Sequence, residues 1–174
     1  GVGGTRHCDW WFTDQAVMID TAGRYTTQDS HATQDSKAWI DFIMLLKRYR
    51  KRRPINGVVI AIGVDELTRQ TEQELSANVN SVRARLQELT RHLGVKFPVY
   101  LLLTKCDLIP GFTQYFDMMG KEERAQVWGT TFSEKPESNL TYQQMFEDEH
   151  DLLSKRLHDG VMTKFHFERE VTRR

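Results

Sequence analysis

Two apolar runs, Ala16-Val-Met-Ile-Asp-Thr-Ala-Gly23 and Val99-Tyr-Leu-Leu-Leu-Thr-Lys-Cys-Asp107, each break off abruptly into a polar loop. A strand buried in a parallel sheet has this form: it is apolar on both faces and delivers its last residues to the carboxyl edge, where ligands of open α/β sheets bind. Asp20 stands where the first strand ends, and a carboxylate there can hold the water shell of Mg²⁺. Gly23 follows, and a backbone without a side chain can approach a terminal phosphate and offer its N–H. Thr104, Lys105 and Asp107 form a T-K-x-D loop. Its carboxylate can accept paired hydrogen bonds from N1–H and the exocyclic amine of guanine, with the lysine stem lying along the ring.

Either motif alone is ordinary strand-to-turn chemistry. Their joint occurrence, in this order and each after a strand-like run, is what points to a nucleotide site. The spatial expectation is definite: Asp20 and Asp107 line one crevice at one rim of a shared sheet.

The rest of the chain alternates strand and helix, the pattern of a mostly parallel sheet covered on both faces. Trp10 to Phe12 and Ala16 to Ile19 flank the short polar break Thr13-Asp-Gln15, which predicts an antiparallel hairpin. Trp10 and Trp11 point to opposite faces, so one is expected in the core and one outside. Trp39, Phe42, Leu46 and Tyr49 recur at helical spacing, giving a helix over Ser36 to Arg53 that Pro54 stops. Gly57 to Val64 reads as a central strand buried on both sides. Leu75, Val79, Val82, Leu86, Leu89 and Leu93 form a helical stripe closed by Gly94. Beyond Asp107, Phe112 to Met119 reads as a short helix and Val127 to Phe132 as a last strand. Glu134 to Asn139 is a turn-rich linker, and helical spacing resumes over Thr141 to Leu157.

With 174 residues the chain is long enough for a real core, since about 150 residues bury roughly two-thirds of their unfolded surface. Its net charge is zero, so no global field recruits nucleic acid. Cys8 and Cys106 offer neither a disulfide framework nor zinc spacing, and His7-Cys8-Asp9 are too close in sequence to form a tetrahedral site together. No G-x-G-x-x-G follows a strand, which argues against a dinucleotide oxidoreductase. The basic run Lys47 to Arg53 either binds an anionic surface or is simply solvated at a helix end.

Cys8 to Ser30, which contains Asp-Thr-Ala-Gly-Arg, resembles the IcmF/TssM family, the large inner-membrane subunit of type VI secretion systems. Arg53-Pro-Ile-Asn-Gly-Val58, Thr104-Lys-Cys-Asp107 and Gly111-Phe-Thr-Gln-Tyr-Phe116 carry the same resemblance, which extends through nearly the whole chain. It implies a P-loop NTPase, G-domain-like module over residues 1–139 with a helical extension over 140–174. It further implies a cytoplasmic domain of a bacterial inner-membrane protein, anchored by segments outside this chain. The partners implied are TssL, TssJ and baseplate components, with self-association in the full complex. The cofactors implied are GTP or ATP with Mg²⁺.

The resemblance assigns Asp20, with Thr21, to the metal and phosphate side, Gly23 to the terminal phosphate, and Thr104, Lys105 and Asp107 to the base. Thr5 is placed either as a metal-shell threonine or as a plain strand-entry residue. Arg24 follows Gly23 where many signalling GTPases carry a water-positioning glutamine. It either supplies positive charge to a transition state, as the one catalytic candidate, or pairs with an acidic neighbour. Thr104 stands where the family of G domains has asparagine. No G-x-x-x-x-G-K-[S/T] occurs in these residues, so the phosphate loop is expected upstream, and the fragment alone is expected to be inactive as an Mg-dependent NTPase. The competing expectation is a scaffold that keeps the sheet for docking secretion partners without turnover.

Overall fold

The computed structural model describes residues 8–21, 23, 32–117, 119–132 and 141–167. The chain is α/β and packs as two compact units, the first running to Lys105 and the second beginning at Cys106.

The first unit opens with β1 (Asp9–Phe12) and β2 (Val17–Asp20), an antiparallel pair in which Asp9 faces Asp20 and Phe12 faces Val17. Thr13 closes the turn: its N–H and hydroxyl both donate to the Ala16 carbonyl, and its oxygen accepts from the Ala16 N–H at 3.0 Å. Trp10 and Trp11 are both at least half exposed, so the expected division between core and surface is not found. With residues of both faces exposed, the pleat here sorts nothing into a core.

Helix α1 (Ala32–Tyr49) supplies the centre of the core. Ile43 is fully buried, and Trp39 and Leu46 nearly so, whereas Tyr49 is 76 % exposed. The packed stripe therefore runs through Ile43 and is spent before Tyr49. The helix stops at Tyr49, short of Arg53. Helical geometry is disfavoured at the residue before Pro54, so the helix does not run through to Arg53.

β3 (Val58–Gly63) leads directly into α2 (Val64–Arg69), a short helix with no side-chain cap. α3 (Glu72–Leu93) begins with a capping box: the Glu74 N–H donates to the Thr71 hydroxyl oxygen, and the Glu74 carboxylate accepts from the Thr71 N–H at 2.8 Å. It ends at Gly94, whose φ of 68° is the left-handed cap expected of glycine. Leu89 and Leu93 pack with Trp39 and Ile43 to form the buried cluster, flanked by Phe42, Ile55, Val58, Leu86 and Phe97. Lys47 Nζ donates to the His92 carbonyl at 2.6 Å, so α1 satisfies one of the open carbonyls at the end of α3.

β4 (Val99–Thr104) pairs with β3 in parallel, in register from Val58 opposite Val99 to Gly63 opposite Thr104. Among the described residues the strands form two two-stranded sheets, β1–β2 and β3–β4, and no ladder joins them. The single mostly parallel sheet expected from the sequence is thus not what these residues build. β3 is likewise not a strand buried on both sides: Val59 is 55 % exposed, and Leu101 in β4 is 58 % exposed. A parallel strand gains burial only when strands flank it and helices cover both faces.

The second unit contains a 3-10 turn (Cys106–Leu108), α4 (Phe112–Asp117), α5 (Lys121–Arg124) and α6 (Tyr142–Phe167). Val127 to Phe132 is not a strand. Gly129 interrupts it, Val127 is 94 % exposed, and Trp128 packs edge-on against Phe112 and Phe116 at centroid distances of 6.0 and 5.6 Å. Aromatic packing at one residue takes the place of a hydrogen-bonded ladder. In α6, Thr141 and Gln144 exchange backbone-to-side-chain hydrogen bonds at the amino end. Gly160 leaves room for the Tyr115 hydroxyl, which a Cβ there would strike, and Lys164 lies over the same ring at 4.6 Å.

Candidate functional site

The parallel register brings the carboxyl ends of β3 and β4 to one rim, with Gly63 beside Thr104. The Thr104 hydroxyl donates to the Ile62 carbonyl at 3.3 Å and ties the two strand ends together. Lys105 follows with φ of 58°, the one non-glycine residue with positive φ among those described. For a residue with a Cβ this conformation costs roughly 1–2 kcal/mol, so the surroundings must hold it.

They do so through Asp65, the second residue of α2. Lys105 Nζ lies 3.0 Å from Asp65 Oδ1 and 3.1 Å from Oδ2. The Arg69 guanidinium reaches the same carboxylate one helical turn on. Asp65 is only 15 % exposed, while Lys105 remains about half exposed. The hydrogen bond from Lys105 holds the Asp65 carboxyl below the ordinary carboxylate range. The charges of Lys105 and Arg69 add to this, and partial burial opposes it. Gly63 completes the arrangement: a Cβ there would collide with Asp65 Oδ1 and lie 3.5 Å from Lys105 Nζ.

The remaining expected site residues are distributed as follows. Asp20 is exposed at the end of β2, and its cross-strand neighbour is Asp9. Thr21 is half-buried and Gly23 exposed, with nothing within 4 Å of where its Cβ would be. Asp107 is exposed in the 3-10 turn that opens the second unit. Thr5 and Arg24 lie outside the described residues. The structure therefore groups Thr104 and Lys105 at one rim, and it adds Asp65 and Gly63, which the sequence did not single out. Asp20 lies in the other strand pair. Among the described residues no group of three or more His, Cys, Asp or Glu is placed to hold a metal. A shallow depression on α3, lined by Arg83, Leu86, Gln87, Thr90 and Arg91, contains none of the expected site residues.

An α/β unit with a lysine-bearing loop at the carboxyl rim of a parallel strand pair is the class of protein this geometry defines. The chain belongs to the IcmF-related N-terminal domain family, whose model matches residues 32–174. It is similar to the type VI secretion system component TssM1 of Pseudomonas aeruginosa, strain PAO1, with 52% identity over 178 aligned positions that cover the whole of this chain. The chain spans 16% of the length of that relative. No solved structure matches it.

Among the described residues no helix is long and apolar enough to cross a membrane.

Proposed function

We propose that this chain is the nucleotide-binding part of a type VI secretion subunit, in which nucleotide state is coupled to assembly or conformation of the secretion apparatus. In this reading the two strand pairs are parts of one G-domain-like sheet over residues 1–139, with 140–174 as a helical extension. A strand and phosphate-binding loop elsewhere in the full-length protein complete that sheet. The observation that carries the reading is the parallel β3–β4 register, which sets Thr104 and Lys105 at a carboxyl rim. The exposed apolar side chains of β3 and β4 add support, because such strands call for further neighbours.

GTP or ATP is the ligand, with Mg²⁺. Lys105 lies along the base and Asp107 reads it, while Gly23 offers its N–H to the terminal phosphate. Asp20, with Asp9 opposite, holds the metal's water shell, and the metal neutralises phosphate charge when bound. Thr5 completes the metal shell, and Arg24 places positive charge near the phosphates. The partners are other secretion components, TssL, TssJ and the baseplate among them. The domain is cytoplasmic, on a subunit anchored in the inner membrane elsewhere in its chain.

The test is a titration of the full-length protein with GTP and Mg²⁺. Binding that weakens in Asp107→Ala, with ATP competing poorly, supports a guanine site. Unchanged affinity in that variant, or equal competition by ATP, removes the guanine assignment.

One observation favours a second reading, a scaffold that docks secretion partners without turnover: Lys105 already has a strong partner in Asp65. Absence of any nucleotide binding by the full-length protein selects the scaffold.

A further inference from the structure

We propose that Asp65 is the positioning residue of this rim: by holding the Lys105 ammonium, it fixes the course of the lysine stem along which a nucleobase stacks. The inference rests on the nucleotide reading above and deepens it.

Three observations carry it. Lys105 sits in a left-handed backbone conformation that its own chemistry disfavours, so its place at the rim is fixed by its surroundings. Asp65 supplies the anchor from a position 40 residues away in sequence: its Oδ2 accepts a hydrogen bond from Lys105 Nζ at 3.1 Å, and its Oδ1 lies 3.0 Å from the same ammonium as an ion-pair contact. Gly63, buried at the end of β3, leaves the space in which that carboxylate lies, since a Cβ there would strike it.

The asymmetry of exposure indicates what the anchor is for. Asp65 is turned in at 15 % exposure while Lys105 remains 51 % exposed. A pair serving packing alone has no need to keep its cation open to a ligand. A pair that presents a lysine stem does, because holding the head limits the rotamers of a four-carbon stem whose apolar surface remains accessible. Lys105 itself, and then Arg69 on the same carboxylate, favour the charged form of Asp65. A nucleobase meeting an anchored stem does not have to immobilise it, whereas an unanchored lysine loses its rotamer freedom on binding.

The test uses the full-length protein titrated with GTP and Mg²⁺, in four forms: unmodified, Asp65→Ala, Lys105→Ala and the double variant. Asp65→Ala is expected to weaken GTP about tenfold, the size of effect expected when a long side chain regains its rotamer freedom. The double variant is expected to bind no more weakly than Lys105→Ala alone, because Asp65 acts only through Lys105. A merely structural role predicts instead that the two losses add and that the thermal midpoint falls with affinity.

Asp65→Asn keeps the shape with a weaker hold and is expected to show a smaller loss. Gly63→Ala keeps the charge but displaces it, and is expected to behave like Asp65→Ala. These two variants preserve the test if Asp65→Ala folds poorly. GTP binding that is unchanged in Asp65→Ala and Gly63→Ala, or additive losses in the cycle, overturns this inference and leaves the nucleotide reading standing. Binding of neither GTP nor ATP by the unmodified protein overturns both.

Discussion

The helix pair α1–α3 and the strand pair β3–β4 belong to the same unit, and the strands have the more continuously apolar sequence. Yet the helices are the buried elements: Ile43 is fully enclosed and Leu93 is 4 % exposed, whereas every residue from Val99 to Leu103 is about half exposed. The difference lies in what each element needs. A helix satisfies its backbone hydrogen bonds internally and has to hide only one stripe, which a single partner can cover. A parallel strand must find ladder partners at its edges and cover for both faces, none of which its own residues can provide. The helix pair thus hides its stripe within the described residues, and the strand pair leaves its apolar side chains half exposed there.

Four measurements test this contrast. Ile43→Ala removes side-chain volume from a site with no exposure and is expected to cost roughly 2–5 kcal/mol. It would be read from the urea midpoint at unchanged slope. A loss of 1 kcal/mol or less would show that the helix pair is not the stable half. Gly94→Ala forces a Cβ into the left-handed cap of α3 and is expected to cost about 1–2 kcal/mol by the same measurement.

The amino end of α3 gives a pH signature. The Thr71 backbone N–H, and then its hydroxyl, hold the Glu74 carboxyl below its ordinary value. Because the folded value is lowered, the stability from ionised Glu74 is fully present above the unfolded pKa and is lost as pH falls through the folded value. Glu74→Gln is expected to flatten that acid limb in thermal melts, and Thr71→Ala to cost about 1 kcal/mol at neutral pH. An acid limb as steep in Glu74→Gln as in the parent would discard this cap as a source of stability.

The smallest expected effect is the sharpest test of the comparison. Leu101→Ala should cost less than about 1 kcal/mol in the 174-residue chain, because much of the side chain is already in water. It should cost clearly more in the full-length protein. Equal costs in the two would mean that nothing else in the protein covers β4.

What the sequence made legible was local. Thr13 marked the hairpin and Gly94 the end of α3, because turn and cap chemistry acts over a few residues, whereas Pro54 overstated α1, which ends at Tyr49. The stripe of α3 was readable through Leu89 and Leu93 for the same reason. In α1 the stripe was placed one residue off its centre, at Phe42 and Tyr49 rather than Ile43, since periodicity names a face but not which member faces the partner. Pairing was not legible: ladder formation joins residues distant in sequence, and apolar strands look alike whether or not their edges are filled. α2 gave no signal because it starts at Gly63 without a side-chain cap.

Of the candidate site, Thr104 and Lys105 were legible as a strand-end loop, and the structure puts them at the parallel rim. Asp65 was missed because its partner lies 40 positions further on. The one clue was a glycine ending a strand with an acid two residues later, and that clue acquires meaning only once Lys105 is beside it.

The hydrogen bond from Lys47 to the end of α3 has a consequence for the surface around it. Of the six cations in the run from Lys47 to Arg53, Lys47 is held by the His92 carbonyl and Arg50 by Asn56, both at the surface. The acceptors are neutral, so the two heads keep their charge while their positions are fixed, and each cation close to an anionic lipid surface is worth roughly 1 kcal/mol. The salt sensitivity of this corner should therefore scale with all six charges, two of them already fixed in place.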